Sequence, residues 1–429
     1  MSAFREDLDL AADWVDAYLA RVGGLPVQAA VEPGGVRARL PESPPEHGES
    51  FAALLADLDD LILPGVTHWN HPRFFAWFAN TGSEPGILAE LLIAALNVNA
   101  MTWLSSPAAT ELESTVMDWL AQLLGLPRSW HGHIEDTAST ATIAALAAAR
   151  AVRPGGVVYA SAEANFSVAK AARLVGLEFR TVPVDDAFRM RPDFPLDDAT
   201  AVVATVGTTA TTSVDPVREL AARCVEAGVW LHVDAAYAGS AAVCPELRWC
   251  LDGCELADSV VVNPHKWLFT PMDCSTFWTR RPEALHEAFA LVPDYLASTK
   301  DAIDLKDYGP ALGRRFRALK LWAVLRWYGA EGLRALIREH VRLAQLFASW
   351  VEAEPGWEVL APHPFSTVCF RHIDADNGEL ARAATATGEV FVASARFRGV
   401  EGIRLAIGNA GTTEADVRRA WEVLRRCVP

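Results

Sequence analysis

Short apolar runs alternate with helical patterns from Ile134 to about Val262. The runs GGVVYAS, LEFRTVPV, TAVVATVG, GVWLHVD and DSVVVN are apolar at successive positions, so they predict strands covered on both faces. Between them ATIAALAAAR, SVAKAARLVG and PVRELAARCVEAG carry the three- and four-residue spacing of helices. This βαβα rhythm predicts an α/β fold with a mainly parallel sheet sandwiched by helices, and a further helical crossover between GVWLHVD and DSVVVN.

Upstream, SSPAATELESTVMDWLAQLLG predicts a helix with Ser106 as N-cap, Pro107 at its first position and Gly125 as its stop. The N-terminal part predicts a helix from about Leu8 to Val22, a Pro/Gly-rich passage, and a second helix from about Phe51 to Ile62. The first of these has an apolar stripe but nothing local to bury it against, and is expected to pack on the main body or on another subunit. After the long helical pattern RRFRALKLWAVLRWYG, the strands STVCFRH and EGIRLAIG mix with helices. Three parts follow: a helical segment over 1–75, a large α/β domain over 76–330, and a small α+β domain over 331–429. Arg314, Arg315, Arg317 and Lys320 are expected on a helical face that meets solvent or another subunit.

Composition narrows the ligand. With 429 residues and 51% hydrophobic content the chain can bury a large core, and its net charge of −16 argues against nucleic acid or an anionic membrane as partner. No apolar run is long enough to cross a bilayer, and MSAFREDLDLAADW lacks the basic and apolar regions of a signal peptide, so a soluble cytoplasmic protein is expected. Seven scattered cysteines fit reduced thiols. Cys244, Cys250 and Cys254 lack paired spacing, and His131 and His133 fall in a presumed solvent-facing loop, so no metal site is predicted.

Lysine is scarce, five against 33 arginines, which draws attention to Lys266 in SVVVNPHKWLF. Its amine can lose its proton and attack a carbonyl; a lysine snorkelling from a strand end is the plainer alternative. Asp234 ends the preceding strand, and neighbouring parallel strands bring both residues to one crevice at the sheet's carboxyl edge. A simple ion pair would also explain them. Thr137, Ser139, Thr140 and Thr142 crowd the start of an alanine-rich helix, either as N-caps or as an anion cradle. Together, a reactive lysine, an aspartate and a phosphate cradle are what pyridoxal 5′-phosphate requires.

The stretch from WLHVDAAYAG to NPHKWLFTPMDCS resembles the group II pyridoxal-dependent decarboxylases, the family of aromatic L-amino-acid decarboxylase. The similarity extends from HWNHPRFFAWF through SSPAATELESTVMDWLAQLLGLP to LGRRFRALKLW. It implies the aspartate aminotransferase-like fold type I, an obligate homodimer with sites at the subunit interface, and an N-terminal helix packed across the dimer. It further implies Lys266 as the Schiff-base lysine and Asp234 as partner of the ring nitrogen, with Ala236 against the ring. Ala138, Ser139 and Asn263 would hold the phosphate, Thr209 would lie near the ring's polar edge, and His265 would border cofactor and substrate. Trp69, Trp77, Phe78 and Met101 would line the substrate pocket; ordinary core packing is their alternative.

Two positions depart from the family pattern. Asn165 in YASAEANFSV stands where the family has a histidine stacked on the cofactor, and Leu305 in IDLKDYGPALGRRFR stands where it has a loop tyrosine. Tyr308 or Tyr295 is left as a substitute for that tyrosine. The expected function is removal of the α-carboxylate of an aromatic or similarly bulky L-amino acid through a quinonoid, giving an amine or, without the tyrosine's proton, an aldehyde. Transamination or β-elimination at Cα, and a non-catalytic dimeric homologue, are the alternatives.

Overall fold

The computed structural model describes residues 3–80, 82–291 and 302–429. Its main sheet holds β1 (His131–Glu135), β2 (Val157–Ser161), β3 (Glu178–Val182), β4 (Ala199–Thr205), β5 (Trp230–Asp234), β6 (Ser259–Val262) and β7 (Ser275–Thr279), in the order β1-β7-β6-β5-β4-β2-β3. Strands β3, β2, β4, β5 and β6 run parallel, and each is one of the expected apolar runs. The antiparallel edge of β7 and β1 was not expected. Its sequences, HGHIE and STFWT, carry too many polar residues to read as buried strands, yet His133, Ser275, Thr276 and Thr279 are all buried. Antiparallel pairing of β7 with β6 and of β1 with β7 supplies their backbone partners, so the apolar pattern is not needed to place them.

The crossover from β5 to β6 is not the α-helix expected but three short 3-10 turns, Ala238–Val243, Pro245–Leu251 and Cys254–Leu256. Pro245 opens the second turn and Gly253 precedes the third at φ +90°, and both interrupt helical hydrogen bonding. Elsewhere the local signals hold. The helix Pro107–Leu124 begins at Ser106, whose hydroxyl accepts from the Ala109 N–H, and ends at Gly125 with φ +79°. The N-terminal helix runs Ala3–Arg21 and buries none of its residues within the chain.

A second sheet in the order β10-β11-β9-β8, built from β8 (Trp357–Val359), β9 (Thr367–His372), β10 (Ala393–Phe397) and β11 (Val400–Ala406), is antiparallel and carries its own core. The helix Arg317–Ala353 links the two cores and breaks at Gly329 (φ +60°). Phe75 enters the second core, so the end of the N-terminal segment is clamped to the small sheet.

Of the four basic residues before that helix break, Arg315 is exposed as expected, but Arg314, Arg317 and Lys320 turn inward. Lys320 is fully buried on Glu90 at 2.5 Å, and Arg317 binds Asp273 at 2.9 Å. The buried Arg314 pairs with Glu113 at 2.7 Å and also reaches the Ile134 carbonyl, while Glu113 accepts from the Ile134 N–H at 2.7 Å. Their acidic partners lie on distant helices and loops that helical periodicity cannot report. Removing one partner of such a pair strands a buried charge. Glu113→Ala should therefore destabilise the protein by roughly 3–5 kcal/mol in denaturant unfolding, and Glu113→Gln, which keeps an acceptor, by clearly less.

Candidate active site

Adjacent parallel strands set the site's centre. Asp234 is the last residue of β5 and pairs in register with Val261 of β6; two residues beyond β6, Pro264 opens a single helical turn, Pro264–Trp267, that carries Lys266. Burial pushes the Lys266 ammonium below its usual 10.5, with Asp234 pulling the other way and Arg404 lowering it further. Burial likewise raises the Asp234 carboxyl, and Lys266 only offsets this in part. The two charges do not close into an ion pair within 4.0 Å, and the Lys266 amine makes no hydrogen bond among the described residues. They face each other across a gap, which a plain ion pair would not leave.

Around this gap the backbone is tightly shaped. Gly207 (φ +85°) lies so close to the next loop that a Cβ on it would sit 2.6 Å from Cβ of Ala238. It leads into Thr208 and Thr209, and Thr209 accepts a hydrogen bond from the Asn165 amide at 3.1 Å. The Asn165 carbonyl oxygen accepts from the Ser167 N–H at 3.0 Å and caps the helix Phe166–Leu174. Asn165 is thus bound at both ends of its amide. Ala236 is buried, and its N–H donates to Asp234 at 3.1 Å.

At the other side, the helix Ala138–Val152 starts from a capping box. Thr137 and Thr140 cap each other, and Asp136 accepts from both hydroxyls and the Thr137 N–H. The threonines are therefore committed to the cap, while the N–H groups of Ala138 and Ser139 have no partner among the described residues. Two open donors at the positive end of a helix suit a phosphate. Asn263 and His265 lie together, with Nδ2 and Nε2 3.2 Å apart. Burial, with Lys266 beside it, pulls the His265 imidazole down to about 3.

The expected pocket residues divide. Phe78 stacks on Tyr237 with centroids 3.8 Å apart, and Lys266 Nζ lies 5.4 Å from its ring centre. Trp69 and Trp77 instead stack on each other and on Phe74 and Phe391, with Trp77 49% exposed. Met101 meets the segment that opens the last described stretch, its carbonyl accepting from the Lys306 N–H at 2.9 Å. Tyr308 stacks on His131 at 4.2 Å, and Leu305 is buried; Tyr295 lies outside the described residues. His131 and His133 are on β1, not in a solvent loop, with His133 bound to Glu135 at 3.1 Å, and among the described residues no cluster is suited to a metal.

Sequence reasoning missed Arg404 on β11. It is buried, its Nη1 donates to the Ala76 carbonyl at 2.9 Å, and its Cζ lies 4.2 Å from the centre of Phe78. Its Nε and Nη2 have no hydrogen-bond partner among the described residues. The signal was present as one arginine inside the apolar run GIRLAI.

A lysine whose amine is unpartnered, an aspartate across a gap and an open helix N-terminus on one sheet edge together define a pyridoxal-phosphate enzyme: the residues present fit that cofactor's aldehyde, ring nitrogen and phosphate. The pyridoxal-dependent decarboxylase conserved domain matches residues 33–373, and the chain belongs to that family. It is 42% identical to a tyrosine decarboxylase of Oryza sativa subsp. japonica over 96% of this chain and 88% of the relative, and 38% identical to a phenylacetaldehyde synthase of a Rosa hybrid cultivar over 98% and 93%. It superposes with a TM-score of 0.95 on the crystal structure of Oryza sativa TDC with PLP and tryptamine, at 35% identity over 99% of this chain and 97% of that one. The protein is a carboxy-lyase whose cofactor is pyridoxal phosphate.

Lys266→Ala should show no visible absorbance after incubation with pyridoxal phosphate and no borohydride-trapped adduct. In the wild-type apoprotein, where the neutral amine is the nucleophile and burial lowers its pKa, cofactor uptake should speed up as pH rises, with a midpoint below 10.5. Stopped-flow absorbance across pH checks the sign.

Proposed function

We propose that this enzyme removes the α-carboxylate of an aromatic or similarly bulky L-amino acid and releases the remainder chiefly as an aldehyde. The observation that carries the substrate class is Arg404, a buried guanidinium with two open N–H groups laid on Phe78 beside Lys266. A carboxylate is the group such a fork binds best, and the exposed part of the Phe78 ring suits an aromatic side chain. Bound pyridoxal phosphate supplies the electron sink for the pair left at Cα when CO2 departs. Lys266 and Asp234 anchor that sink, and Arg404 orients the carboxylate before it leaves.

The product depends on what reaches Cα next. An amine needs one proton there; among the described residues Leu305 has none to give, the Asn165 amide is tied to Ser167 and Thr209, and Tyr308 is held against His131. Without that proton the pair passes to dioxygen. Two electrons reduce O2 to peroxide, water supplies the carbonyl oxygen, and nitrogen leaves as ammonia. Amine release, the outcome named for several relatives such as tryptophan decarboxylase of Camptotheca acuminata, is the competing branch.

We also propose a homodimer. The helix Glu84–Leu96 turns Leu88, Leu91, Leu92 and Leu96 outward, and its Glu90 is tied to Arg315 and Lys320 at the foot of the site, so a second copy is the occupant this face fits. A cytoplasmic setting is proposed from the seven free thiols, six of them buried.

With a panel of aromatic L-amino acids under air, one O2 should be consumed and one aldehyde and one ammonia formed per CO2; one amine per CO2 without oxygen uptake refutes the aldehyde assignment. Leu305→Tyr should raise the amine-to-aldehyde ratio by at least about 100-fold, the lower end of a general acid's contribution. Leu92→Asp should convert a dimer in analytical ultracentrifugation to monomer.

A further inference from the structure

We infer that His340 is a positioning residue: by holding the Trp267 indole it fixes the turn that carries Lys266, and so keeps the amine from closing on Asp234. Trp267 follows Lys266 directly, and its Nε1–H donates to Nδ1 of His340 at 3.0 Å; across the ring, Nε2 lies 3.0 Å from the Asn409 carbonyl. Trp267 and His340 are both buried, each at 1% exposure.

Both ends of this link have a fixed polarity. An indole N–H only donates and a carbonyl oxygen only accepts, so Nδ1 is the acceptor and the hydrogen of the neutral ring sits on Nε2. A cationic ring would set N–H against N–H. Burial prevents that by pulling the imidazole down to about 4, an effect that the Asn409 carbonyl and Glu339 only partly offset.

The turn needs such a hold. Pro264–Trp267 is a single helical turn, with the Lys266 N–H on the Asn263 carbonyl at 2.9 Å and the Leu268 N–H on the Pro264 carbonyl at 3.1 Å. One turn alone gains too little hydrogen bonding to fix its own backbone. Asp234 draws the ammonium across the gap, Arg404 disfavours its charge, and His265 beside it is neutral. The anchor therefore has to come from another element.

His340 supplies it from the helix Arg317–Ala353, at the place where that helix passes from one core to the other: Leu333 and Ile337 enter the first, Leu343 and Phe347 the second. Asn409 lies just beyond β11, the strand of Arg404. The contacts close a ring, because Trp267 stacks on Tyr237 at 5.0 Å, Tyr237 stacks on Phe78 at 3.8 Å, and the Arg404 Cζ lies 4.2 Å from the centre of Phe78. His340 is the polar joint of that ring, between the lysine's turn and the arginine's strand. None of this depends on which product is released.

The test is stopped-flow uptake of pyridoxal phosphate by folded, full-length apoprotein across pH, with circular dichroism to follow folding and stability. His340→Phe removes both hydrogen bonds and frees Lys266 to pair with Asp234. The midpoint of the uptake profile should then rise by about one unit, which leaves about ten-fold less neutral amine and slows uptake at neutral pH by about ten-fold. His340→Asn, whose side-chain oxygen can stand where Nδ1 stands, should restore both; His340→Gln, whose amide reaches toward Asn409 instead, should not. A histidine that serves packing alone would lower stability in all three variants and leave the midpoint where it is in wild type. That result, or rescue by Gln and not by Asn, overturns the inference. Should His340→Phe fail to fold, equal midpoints in His340→Asn and His340→Gln overturn it. In wild-type apoprotein labelled with 15N-histidine, the His340 signals, assigned by their loss in His340→Asn, should show Nδ1 unprotonated and Nε2 protonated; the opposite tautomer also overturns it.

Discussion

Two opposite charges held out of water and kept apart are the constraint on which this molecule is organised. Lys266 and Asp234 each pay for burial, as the opposed directions of their pKa shifts show, and neither recovers the cost by closing on the other. A protein selected for stability alone would let them meet or replace both with apolar side chains. Holding them apart keeps the amine reactive and the carboxylate poised, and the rest of the sheet edge exists to hold that separation. Parallel pairing of β5 with β6 fixes one side, and the turn opened by Pro264 fixes the other.

The separation draws on both cores. The Tyr237 ring backs Phe78 from the large domain, while its hydroxyl binds Ser366 beside β9 at 2.7 Å. Arg404 comes from the small sheet and is secured to Ala76, near the end of the N-terminal segment. A second positive charge thus approaches Lys266 from a part of the chain far away in sequence, which lowers the amine further and leaves two donors open for an anion.

What could be read from sequence follows from how local each signal is. The parallel strands, the cap of Ser106 and the crevice of Asp234 and Lys266 rest on neighbours within a few residues or on one strand-to-strand step, and these were legible. Strands β1 and β7 were not, because HGHIE and STFWT gain their burial from antiparallel partners and not from apolar content. The basic stretch before the long helix looked solvent-facing because Glu90, Glu113 and Asp273, which neutralise it, come from elsewhere. Trp69 and Trp77 were grouped with Phe78 through the family resemblance; within the chain, Phe78 is the one of the three that lies near Lys266. The fold class was therefore open to a periodic reading, whereas the polar wiring that tunes the site required tertiary contacts.

Asn165 shows how one such contact bears on chemistry. A histidine at this position presents a flat ring, whereas an asparagine presents a short amide with one acceptor and one donor side, and here both are used: the oxygen caps a helix and the nitrogen holds Thr209. Asn165 therefore brings neither a flat ring nor a titratable group to its position, and its nitrogen ties it to the loop beginning at Gly207. Bond cleavage and protonation are separable demands on the same cavity, and the described residues meet the first far more fully than the second.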